Sequence, residues 1–113
     1  MNKFYNSCIL RIIEESIAAY YNKAIPLIYL MENIEVLPML MNDTSEDWQN
    51  DIVNESYEMD VIYATILDKE RVVFTQQEQE SFEESIRKVA ALIKQFKKEH
   101  GSSTTTSPLI YPQ

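Results

Sequence analysis

Residues 75–101 read TQQEQESFEESIRKVAALIKQFKKEHG, and this stretch decides the fold. Phe82, Ile86, Val89, Ile93 and Phe96 recur at steps of three and four, which puts them on one face of an α-helix. Thr75 followed by Glu78 has the capping-box spacing, in which each side chain satisfies the other residue's unpaired backbone N–H. The basic end KQFKKEH suits the negative pole of the helix dipole, and Gly101 marks the stop. The spacing therefore predicts a helix that starts after Thr75 and ends before Gly101.

The same marks recur upstream. Thr44 or Ser45 can cap a helix whose first turn carries Glu46 and Asp47, well placed against the positive end of the dipole. Trp48, Ile52, Met59, Ile62, Tyr63 and Ile66 form its apolar stripe, which runs to about Asp68. The segment KERVVFT, residues 69–75, is a connector; Val72, Val73 and Phe74 form an apolar patch too short for a strand. Further back, a helix from Pro26 to Met41 buries Leu27, Leu30, Met31 and Ile34. Pro38 removes a backbone donor and crowds the preceding turn, so regular helix ends at Val36 or Leu37. The first helix runs from Lys3 to Asn22, with Tyr5, Ile9, Ile12, Ile13, Ile17 and Tyr20 on one broad face and a break at Asn22–Ile25.

Four amphipathic helices with short connections predict an all-α chain, an antiparallel four-helix bundle. With 113 residues and 13.3 kDa, residues 1–100 read as a single helical domain. After Gly101, SSTTTSP has no apolar periodicity, so residues 101–113 read as a flexible C-terminal tail. Its last residues, LIYPQ, are apolar enough to dock. One Gly and four Pro are too few for an all-β chain full of tight turns.

Charge narrows the partners. The formal net charge is −8 and the sequence pI about 4.6. Phosphate contacts require Lys or Arg, so no nucleic acid and no anionic membrane surface is expected as a partner. A basic protein fits better. No stretch approaches the roughly 20 apolar residues of a membrane span, and Arg11, Glu14 and Glu15 interrupt the N-terminal apolar run, so no signal peptide is expected there. The lone Cys8 fits a reducing compartment, and the expected location is cytoplasmic.

Catalytic and cofactor chemistry finds no motif. His100, the single histidine, lies at a helix end and reads as a dipole partner. Cys8, at the flank of the first stripe, reads as a small buried hydrophobe. There is no glycine-rich phosphate cradle. Residues 42–55 hold several oxygen ligands but no Gly for the sharp turn of a calcium loop, and one His cannot supply a bundle di-metal site. No enzyme activity, metal or cofactor is expected.

What remains is the acidic stretch. Residues 42–60, NDTSEDWQNDIVNESYEMD, carry seven carboxylates and no Lys or Arg. From Ala24 to Asp68 there are ten carboxylates and no basic residue at all. A helix shaped only for stability would alternate its charges. At about 100° per residue, Asp47, Asp51, Asn54 and Glu58 fall on one flank of the third helix and Asp60 on the other. Val53 and Tyr57 point outward between them, an apolar anchor with a charged rim. These seven residues form the candidate partner-binding face. Tyr29 and Val36 of the second helix are expected to extend it. Glu55 falls inside the apolar stripe, where Ser16 or a tyrosine hydroxyl of the first helix could pair with it; an edge position is the other reading.

In size and charge the chain resembles the small acidic helical immunity proteins of bacterial toxins. That resemblance implies an inhibitor or antitoxin docking on a basic partner such as a nuclease, and it assigns no residue. The alternative is a structural or regulatory module that self-associates, as a homodimer for instance, through apolar faces.

Overall fold

The computed structural model of the protein describes residues 3–71 and 73–100. These form four helices packed against one another: α1 Lys3–Tyr21, α2 Leu27–Val36, α3 Glu46–Asp68 and α4 Gln76–Glu99. A short 3₁₀ turn, Leu37–Leu40, continues α2. No strand occurs among the described residues. The segment read as a tail and its apolar LIYPQ lie outside the described residues, as does Val72.

Helix starts follow the predicted chemistry. Ser45 caps α3 by accepting the Trp48 N–H at 3.0 Å. Thr75 and Glu78 form the reciprocal capping box of α4, and Arg71 grips both oxygens of Glu78 at 2.7 Å. Pro38 is buried where α2 gives way to the 3₁₀ turn, as its missing N–H dictates.

Helix ends needed less obvious chemistry. Lys23 and Glu70 adopt φ of 62° and 55°, the left-handed region usually left to glycine. Beside them, the N–H groups of Ala24 and Arg71 reach back to Ala19 and Ile66 at 2.8 and 3.0 Å, and so terminate α1 and α3.

The core forms where the stripes meet. Phe82, Ile86, Val89, Ile93 and Phe96 of α4 are all buried, together with Leu30, Met31 and Ile34 of α2 and Trp48, Ile52 and Met59 of α3. Each such side chain contributes about 1.5–3 kcal/mol by leaving water. Trp48 also donates its indole N–H to the Leu92 carbonyl at 2.9 Å and lies 4.9 Å from the Phe96 ring. One turn into α3 thus meets the late turns of α4, and Tyr20 at the end of α1 meets Phe82 near the start of α4.

The first helix is rotated from its expected setting. Tyr5 and Ile12, read as core, are exposed; Asn6, Leu10 and Ser16 are buried in their place. The cause is Asn6. Its amide donates to the Asn42 carbonyl at 2.8 Å and accepts the Asn42 N–H at 2.9 Å. Drawing that side chain inward brings Leu10, four residues on, into the core and turns Ile12 out. Cys8, expected to be buried, is half-buried beside Phe4 and Arg11 in a shallow outer depression. His100 stacks on Phe96 at the end of α4, with Nδ1 3.0 Å from the Phe96 carbonyl.

Candidate protein-binding face

The face is carried by α3, a helix of 23 residues. Its buried arc is Trp48, Ile52, Ser56, Met59 and Ile66, and the small Ser56 lets a neighbouring helix approach. Opposite that arc lie the candidate residues. Asp47, Asp51, Asn54, Tyr57 and Glu58 are exposed, whereas Val53 and Asp60 are half-buried.

The seven do not form one continuous patch. Asn54 and Glu58 line an open groove of about 610 Å³ between α3 and α4, opposite Glu80, Glu84 and Lys88. Asp51 and Asn54 border an adjoining depression with Lys88 and Gln95. Asp60 falls on the other flank, at about 160° from Glu58 by the helical rotation. Between the flanks stands a ridge of Val53, Tyr57 and Val61, spaced i, i+4, i+8 and therefore stacked along the helix. Tyr57 is 60% and Val61 64% exposed. Val61 was missed in the sequence reading; its place four residues after Tyr57 was the available signal.

Two electrostatic points emerge only in space. The acidic run has no basic residue within itself, yet α4 sets Lys88 beside Asp51, Asn54 and Glu55. Arg87 is engaged with Glu84 at 2.6 Å, and that contact, reinforced by Lys88, holds the Glu84 carboxyl below its ordinary value. The flank of Asp51, Asn54 and Glu58 thus faces a cation of α4, and Asp47 and Asp60 line neither of these depressions.

Glu55 takes the edge position. It is half-buried and lines the groove toward α4. Ser16 is not its partner: that hydroxyl donates to the Ile12 carbonyl at 2.8 Å and accepts from Asn33 at 2.7 Å. The Glu55 Oε1 atom is buried and accepts no hydrogen bond among the described residues.

The expected extension by Tyr29 and Val36 turns elsewhere. Both flank Asn33 by one turn, and Asn33 bonds α1. Their row therefore faces the α1 side of α2, although α2 does pack against α3.

Among the described residues, no group of three or more His, Cys, Asp or Glu is placed to hold a metal ion. No described helix is long and apolar enough to cross a membrane. Comparison with protein-family models, with curated proteins and with solved structures finds no match.

Proposed function

We propose that the chain is a small acidic helical binding protein that docks the α3 ridge on a basic protein partner. An inhibitor of the immunity or antitoxin type, neutralising a nuclease-like toxin in the cytoplasm, is the form of this function that size and charge favour. It acts by binding, not by catalysis. The observation that carries the reading is the ridge itself: Tyr57 and Val61 stand well exposed on a helix that has no cation from Glu46 to Asp68. Tyrosine is among the residues that most often dominate binding energy, and a ring of like charge steers an opposite surface into register.

The test is capture of the partner by the full chain from its native host, repeated with Tyr57→Ala and with Asp47→Lys combined with Asp51→Lys. The expected result is a basic partner that both variants lose and that rising salt weakens, because steering between exposed charges is screened. Capture of an acidic protein, or of a basic one that neither salt nor Tyr57→Ala affects, overturns the reading. Self-association that salt does not weaken would favour the structural or regulatory module.

A further inference from the structure

We infer that the groove between α1 and α2 is a second docking site, shaped for a basic amphipathic helix of a partner protein. The Asn33 to Ser16 hydrogen bond, 2.7 Å long, forms the floor of this groove. The Asn6–Asn42 pairing joins the start of α1 to the residue just beyond the α2 segment, which fixes the relative direction of the two. One turn from the floor on one side stand Ile12 and Val36; one turn on the other stand Ala19 and Tyr29.

On α1 the row is Ile12, Ser16, Ala19, and on α2 it is Tyr29, Asn33, Val36. Both have the i, i+4, i+7 spacing that receives the knobs of a third helix. The apolar members are open to solvent: Ile12 is 45%, Val36 49% and Tyr29 56% exposed. Tyr5, one heptad before Ile12, prolongs the α1 row. In a chain whose four helices each bury a stripe, two further rows with apolar residues on either side of a polar centre are more than scattered surface hydrophobes.

Charge selects the occupant. Glu15 lies three residues after Ile12, and Glu32 three after Tyr29; both are exposed and stand at the outer rims of the two rows. Rim charges of this kind choose the partner of a helical seam, and here they call for Lys or Arg. Between Phe4 and Val36 the cations are Arg11, one turn before Glu15 on the outer side of α1, and Lys23, in the connection beyond the helix end. A second copy of the chain would set Glu15 and Glu32 against their own counterparts in a self-complementary contact, with like charges opposed. The site is built from α1 and α2 and uses no residue of the α3 ridge, so it does not depend on the function proposed above.

The test uses the full chain and a fluorescent three-heptad helical peptide with Leu at its seam positions and Lys at its rim positions. A twin carries Glu in place of Lys, and binding is read by anisotropy at about 0.15 M salt. The basic peptide is expected to bind at least about tenfold more tightly than the twin, and Ile12→Glu or Tyr29→Glu to weaken it at least about tenfold, a step of about 1.4 kcal/mol. Each variant adds a negative charge, so simple charge attraction would instead tighten binding. Tyr57→Ala is expected to leave the affinity unchanged, and circular dichroism to show that the variants stay helical. Equal binding of the two peptides, or undiminished binding to both Glu variants, overturns the inference. So does dimerisation of the chain that Ile12→Glu abolishes, which makes a second copy the occupant. Peptide binding that appears only after removal of residues 101–113 would make the chain's own end the occupant and overturn it equally.

Discussion

The buried amide of Asn6 holds both backbone polar groups of Asn42, 36 residues further on, at 2.8 and 2.9 Å. This pairing ties the start of α1 to the turn that precedes α3, and a role in orienting the first helix follows as a prediction. Asn6→Ala is expected to destabilise the fold by about 1–3 kcal/mol, because partners of a lost buried bond go unsatisfied. Urea denaturation of the variant checks it. A change below about 0.5 kcal/mol, the range of ordinary surface substitutions, would show that α1 is oriented by its apolar side chains alone.

Lys23 and Glu70 end their helices at positive φ, where a side chain crowds its own carbonyl. Replacing either with glycine is expected to raise stability by about 0.5–1 kcal/mol, less than the full left-handed penalty because glycine also loses more freedom on folding. Ala24→Gly, at a neighbouring position with negative φ, should instead lower stability by a similar amount. Thermal denaturation of the three variants would reveal a difference in sign between Lys23 and Ala24; the same sign at both would contradict the account.

Glu78 links the α4 capping box to Arg71. The Arg71 hydrogen bonds, then the Thr75 backbone N–H, lower its carboxyl from 4.5 to about 2. A carboxyl lowered in the folded state adds stability above its unfolded value and loses it as pH falls toward the folded one. The advantage of the native chain over Glu78→Gln should therefore be full above about pH 5 and shrink between pH 4.5 and about 2. Denaturation midpoints of both proteins across that window measure it, and a constant gap would count against the Arg71 contact.

Trp48 and Tyr57 lie on opposite sides of one helix, and their alanine variants should separate folding from binding. Trp48→Ala removes a buried ring and its hydrogen bond to Leu92, at a cost of about 3–5 kcal/mol. Tyr57→Ala should leave stability within about 0.5 kcal/mol and remove partner binding. Circular dichroism melts with a binding assay on each variant decide this; unfolding by Tyr57→Ala would mean that the ridge belongs to the core.

Much of this was legible from residue spacing. The α4 stripe, the Thr75–Glu78 box, the Ser45 cap and the break at Pro38 each depend on residues a few positions apart, and each formed as read. The exposure of Tyr57 was legible for the same reason. The setting of Glu55 was not, since it depends on how closely α4 approaches and on Ser16 being committed to Asn33. Lys88 beside Asp51 was equally invisible, because the two lie 37 positions apart in the chain.

The sequence by itself determined four helices, the caps that start α3 and α4, the break at Pro38 and which residue types could be buried, because caps, stripes and breakers act within one or two turns. The tertiary structure alone decided the edge members of the arc that α1 turns inward. An amphipathic stripe is broad, so a rotation of one residue's width changes its edge members at little cost until a neighbour supplies a specific contact. For α1 that contact is Asn6 with Asn42, and Leu10 lies inside and Ile12 outside. For α2 it is Ser16, which bonds Asn33, a partner that no local spacing contained.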